Sequence, residues 1–156
     1  MVKALDSVLR TIVAATFMFF VGITFLQVVL RYGFANSLPW IDELSRYAFI
    51  WLVFIAGALV ARQGAHTAID LIDEIAPPAW QRPLAVLADA SMVAFGAVLG
   101  LGGWHLMQIN WTTRSPASGI PIAWVQSVLP LAGLLIALFA GAHLIDVLRR
   151  AEAAND

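Results

Sequence analysis

Cysteine is absent from the 156 residues, which excludes disulfides, thiolate nucleophiles and cysteine-ligated metal centres. Charge is nearly as scarce. Only 12% of the residues are charged, against about 25% in an ordinary soluble domain. The net charge is −1, so no basic field exists to attract nucleic acid. No Gly-rich phosphate loop, Ser/His/Asp arrangement or paired-carboxylate cleft can be picked out, so an enzyme reading has nothing to rest on. What the chain does have is apolar surface: 61% of its residues are hydrophobic and six are tryptophan. A chain of this length could not hide so much apolar surface from water. The bilayer is its expected solvent, with indole rings at headgroup level.

The hydrophobic runs predict an all-α integral membrane protein, a single domain over residues 1–156 with four transmembrane helices. The expected spans are residues 11–30, 40–61, 84–107 and 124–145. The first has twenty residues without a charge, which at about 1.5 Å per residue matches the hydrocarbon thickness of roughly 30 Å. It is longer than a signal-peptide apolar core and is closed by Arg31, so an uncleaved span is expected. The second opens with Ser37 as N-cap, Pro39 in the first turn, and Asp42 and Glu43 near the positive end of the helix dipole. After Arg62, the pattern Ile69, Ile72, Ile75 against Asp70, Asp73, Glu74 predicts a short amphipathic helix on the membrane surface. Thr67 and Asp70 resemble a capping box, and Pro77 and Pro78 stop the helix.

Small residues recur at helical spacing: Gly57 and Ala61 in the second span, Gly96 and Gly100 in the third, and Gly133, Ala137 and Gly141 in the fourth. Such steps let helix backbones approach closely and predict a packed bundle. Positive charge is uneven between the two sides. Lys3, Arg10, Arg62, Arg82, Arg149 and Arg150 flank one side, and Arg31, Arg46 and Arg114 the other. The richer side is expected to be cytoplasmic, which places both termini there.

Three histidines raise the possibility of a metal or haem. His105 and His143, however, fall at opposite ends of their spans, and no third ligand accompanies His66 and His143. No metal and no cofactor are expected. Asp89, within two turns of the start of span three, reads as a pairing acid with Arg10, Arg82 or His143 as partner, in preference to an ion relay.

Residues 26–57 concentrate the remaining charge in one corner between two apolar runs. Thr24, Gln27 and Arg31 share a face of the first helix. Two readings stay open here. In one, Gln27 bonds a neighbouring helix, Arg31 reaches outward, and Asp42 or Glu43 pairs locally with Arg46. In the other, Arg31 crosses to Asp42 or Glu43, locks the first two helices together, and leaves the remaining charges for a partner.

The run Gln27-Val-Val-Leu-Arg31-Tyr32, a short loop, then Trp40-Ile-Asp42-Glu43-Leu-Ser-Arg46 and Phe49-Ile-Trp51-Leu-Val-Phe54-Ile-Ala-Gly57 resembles the small, DctQ-like membrane subunit of tripartite ATP-independent periplasmic (TRAP) transporters. Looser matches follow at His66, Ile69-Asp70, Pro121, Trp124 and Leu129-Pro130, so the resemblance covers nearly the whole chain. Asp42 stands where the family pattern has a second glutamate, which keeps the charge. The resemblance implies a non-catalytic subunit of the bacterial inner membrane. Such a subunit packs on the scaffold of a large permease subunit that carries an organic acid with sodium, and it helps dock a periplasmic substrate-binding protein. It further implies partner or structural roles for Gln27, Arg31, Trp40, Asp42, Glu43, Arg46 and Trp51. An autonomous four-helix channel or exporter is the alternative, and a haem-binding membrane subunit a more distant one.

Overall fold

A computed structural model describes the backbone of residues 2–34, 38–75 and 77–152, and side-chain surroundings for residues 7–34, 38–62, 77, 80–81 and 83–149. Ser37 lies outside the described residues, as do the side chains of His66, Thr67 and Asp70. The chain forms helices α1 (Val2–Gly33), α2 (Pro39–Ile75), α3 (Pro78–Ile109), α4 (Ile122–Gln126) and α5 (Val128–Glu152), with no strand among the described residues. Four helical stretches are long and apolar enough to cross a membrane: Ser7–Gly33, Pro39–Arg62, Pro83–Ile109 and Ile122–Arg149. The all-α, four-helix membrane fold expected from the hydropathy pattern is the fold observed.

Two local expectations need correction. The separate amphipathic helix after the second span is not a distinct element, because residues 63–75 continue α2 unbroken. The physical reason is the lack of a breaker. Gly64 alone costs a helix about 1 kcal/mol, and no proline comes before Pro77. The fourth span also opens differently, as a short α4 followed by α5 with a turn at Ser127. Pro130 has no N–H to offer the Gln126 carbonyl, and its ring crowds that oxygen, so the helix is interrupted just after Gln126, at Ser127. Ser127 closes α4 through N–H···O=C of Ala123 at 3.0 Å and Oγ–H···O=C of Trp124 at 2.7 Å.

The chain divides into two compact units, Met1–Ala56 with Gly103–Leu129, and Gly57–Gly102 with Pro130–Asp156; α2, α3 and α5 contribute to both. In the first unit, Ile23, Ile41, Ile55, Ala123, Val125 and Val128 are buried, and the Phe20 and Phe49 rings meet at 5.5 Å. α1 buries only 6% of its apolar window inside the chain. In the second unit, Ala58, Ala61 and Ile136 form a cluster against Met92, Leu99 and Leu135.

Candidate functional site

The first unit is organised around one carboxylate. Glu43, in the second turn of α2, is 6% exposed, an unusual burial for a glutamate. The segment joining α3 to α4 wraps it. Ser115 Oγ and Ser118 Oγ both donate to Glu43 Oε2, the latter at 2.8 Å. The Ser118 N–H reaches the same oxygen at 2.9 Å, and the Ala117 N–H reaches Oε1 at 3.2 Å. Ser115 Oγ in turn accepts the Tyr47 hydroxyl at 2.8 Å, so two residues of α2 grip one serine of the loop. Two successive backbone N–H groups aimed at one anion form a small concavity suited to negative charge.

The loop is shaped to make this possible. Arg114 and Pro121 form an isolated antiparallel bridge, with Ser115 N–H bonded to Ile120 C=O at 2.9 Å and Ile122 N–H to Thr113 C=O at 2.9 Å. Gly119 takes φ of 71°, a left-handed conformation that disfavours any residue with a Cβ. Its N–H closes a turn onto Ser115 C=O at 3.0 Å. Arg114 Nη1 donates to the Gly119 carbonyl at 3.2 Å, which holds the arginine along its own loop.

The other corner residues separate from this network. Asp42 Oδ1 accepts a hydrogen bond from Gln27 Nε2, tying α1 to α2. Among the described residues, no ion pair joins Arg31 or Arg46 to Asp42 or Glu43, so the ion pair drawn in each reading of the corner is not formed. The first reading's Gln27 bond to a neighbouring helix and its outward Arg31 are both observed. Arg31 is exposed, with its guanidinium 6.0 Å from the ring of Tyr32, and Arg46 is exposed as well. Trp40 is exposed, and Trp51 is half-buried. Trp51 lines an apolar cleft of about 510 Å³ together with Phe19, Leu44, Tyr47, Ile120 and Trp124.

The small residues separate into two classes. A Cβ on Gly133 would come within 2.6 Å of Gly100 Cα and 2.7 Å of the Gly96 oxygen, and one on Gly96 within 2.7 Å of Ala137 N. Gly96, Gly100, Gly133 and Ala137 therefore form one close crossing of α3 and α5. Ala61 lies buried in the neighbouring cluster. Gly57 and Gly141 face open space, with nothing within 4 Å of an added Cβ. In the same unit, Asp89 is 5% exposed and its Oδ2 lies 2.8 Å from His143 Nδ1. Of the three partners considered for Asp89, the fold places His143 against it. Arg62 lies over the Phe139 ring at 5.4 Å.

Sequence reasoning missed Ser115, Ala117, Ser118 and Tyr47 altogether. The available signal was the irregular Ser115-Pro116-Ala117-Ser118-Gly119 stretch, whose hydroxyls and free N–H groups suit an anion. Chemically, this arrangement can hold and stiffen. The Glu43 oxygens are occupied, the cleft is apolar, and among the described residues no three His, Asp or Glu side chains converge as a metal site would require.

A sequence model described as "Tripartite ATP-independent periplasmic transporters, DctQ component" matches residues 20–150. A protein of Haemophilus influenzae, provisionally named TRAP transporter small permease protein, is 31% identical over 126 residues, covering 81% of this chain and 78% of that protein. The C4-dicarboxylate TRAP transporter small permease protein DctQ of Vibrio cholerae is 29% identical over 101 residues, 62% of this chain and 44% of its own length. The isethionate TRAP transporter permease protein DctMQ of Oleidesulfovibrio alaskensis is 25% identical over 116 residues, 73% of this chain but only 18% of that longer protein.

Proposed function

From the premise that this chain belongs to the DctQ component family of tripartite ATP-independent periplasmic transporters, we propose that it packs on the scaffold of a large permease subunit and helps dock a periplasmic substrate-binding protein. As a member of that family it is a transporter component, not an enzyme, and a multi-pass protein of the bacterial inner membrane that associates with a large membrane subunit. In the proposed arrangement both termini are cytoplasmic, following the excess of Lys and Arg on that side. The α1–α2 corner and the α3–α4 loop then face the periplasm. Gln27, Arg31, Trp40, Asp42, Glu43, Arg46 and Trp51 serve that corner. The small-residue crossing holds α3 against α5, while Gly57 and Gly141 remain available to the large subunit.

The observation that carries this reading is the engagement of Glu43. Its carboxylate is committed to shaping a loop, as a docking joint needs and a transport or catalytic carboxylate does not. Sodium coupling and an organic-acid cargo belong to the same proposal, and relatives named for C4-dicarboxylate and isethionate support an anionic cargo. Gentle-detergent isolation of the tagged chain tests the core of it. A much larger polytopic protein should co-purify in stoichiometric amount; recovery of a homo-oligomer alone would point instead to an autonomous channel. Uptake of a labelled C4-dicarboxylate by the reconstituted system, with and without a sodium gradient, tests the cargo and its coupling.

A further inference from the structure

Five charged residues belong to the corner and the α3–α4 loop: Arg31, Asp42, Glu43, Arg46 and Arg114. In sequence they look nearly balanced. The fold sorts them by sign. Glu43 is buried with both oxygens bonded, and Asp42 is half-buried and bonded to Gln27. Arg31, Arg46 and Arg114 are all exposed, and among the described residues none forms an ion pair. The Gln27–Asp42 and Glu43–Ser118 bonds bring the end of α1, the start of α2 and the loop together at one end of the first unit. That end therefore presents a cationic surface whose own acids are withdrawn.

We propose that Arg31, Arg46 and Arg114 form a rim that recognises an acidic patch on the soluble substrate-binding protein, with Glu43 as the positioning residue that keeps the Arg114 loop in its presenting shape. This rests on the docking reading above and adds the chemistry of the contact. Arg114 is pre-set by its bond to Gly119. It borders a depression of about 180 Å³ shared with Trp111, Pro121, Ala123 and Trp124, a space on the scale of a side chain. A guanidinium held beside aromatic walls suits a carboxylate through paired, charge-assisted hydrogen bonds. Arg31 and Arg46 are free to steer approach through the field they add to the same end. Burying Glu43 serves the rim twice, because it keeps the carboxylate out of direct contact with an approaching acidic surface and fixes the loop.

The test uses the complex of this chain with its large subunit, in nanodiscs of phosphatidylcholine, so that lipid adds no net charge. Association of the cognate soluble binding protein is followed by surface plasmon resonance between 50 and 500 mM salt. The association rate should fall roughly tenfold or more across that range, as steered encounters do. Arg31→Glu with Arg114→Glu should slow it at low salt to about the high-salt rate. Asp→Lys or Glu→Lys exchanges on the soluble protein should restore part of the loss, an outcome that a misfolded variant could not produce. A double variant that associates as fast as the unmodified chain at every salt concentration overturns the cationic rim while leaving docking intact. Equal binding by the large subunit alone overturns the docking reading itself. In a parallel set of nanodiscs containing phosphatidylglycerol, weaker retention of that lipid by the double variant, with docking rates unaltered, assigns the rim to lipid and overturns the proposal.

Discussion

Glu43 and Ser118 are joined twice: the Ser118 amide at 2.9 Å and its hydroxyl at 2.8 Å meet the same carboxylate oxygen. One residue of a membrane-spanning helix thus sets the conformation of a loop 75 positions further along the chain.

Glu43→Gln keeps the side-chain shape but places an amide NH₂ in a site built from donors. Amide hydrogen exchange at Ala117 and Ser118 should accelerate at least several-fold, and uptake by the reconstituted transporter should fall. Ser118→Ala, which leaves both backbone donors in place, should have the smaller effect on each. Equal exchange in wild type and Glu43→Gln would mean that the Gly119 turn holds the loop unaided.

Arg31→Glu and Glu43→Arg should differ in kind although both reverse a charge. Arg31 is exposed, so its reversal should leave the loop and membrane insertion intact and impair uptake alone. Glu43→Arg puts a cation against four donors and should also disorder the loop. Proteolysis of the α3–α4 connection, with uptake measured in parallel, separates the two.

Gly133→Leu forces atoms into backbone already at 2.6–2.7 Å from the position of a first added carbon. The expected cost is about 1–3 kcal/mol or more, as for other overpacked cores, read as a lowered Tm in detergent. Gly57→Ala and Gly141→Ala meet nothing within 4 Å, so they should leave the stability of the isolated chain unchanged or raised. A drop in co-purification of the large subunit on Gly57→Ala, with Tm preserved, would locate that glycine at the subunit contact.

Asp89→Asn and His143→Ala should each lower the Tm, because the bond between them lies inside an apolar unit. In a double-mutant cycle the two should be non-additive, with a coupling of about 0.5–3 kcal/mol, as expected for groups in direct contact. Additive losses would show that the 2.8 Å approach carries no net interaction.

The four spans were legible because hydropathy is a local property: each apolar run meets the same lipid whatever its neighbours are. The Gly96 and Gly100 step could likewise be read from spacing. Spacing could not separate Gly133, whose missing Cβ admits another backbone, from Gly141, which faces open space, since that depends on how the helices cross. The helical backbone of residues 69–75 was legible too, but the junction with α2 was not. An amphipathic face says which side meets water, not whether the preceding helix has ended.

By itself, then, the sequence determined the solvent, the number of spans and the absence of cysteine-dependent or evident catalytic chemistry, all of which follow from residue types summed over short windows. Only the tertiary structure decided where the corner's charges go. Adjacent acids at positions 42 and 43 point about 100° apart on a helix. The approach of α1 on one side and the α3–α4 loop on the other therefore sends Asp42 to Gln27 and Glu43 to Ser115 and Ser118, leaving the arginines outside.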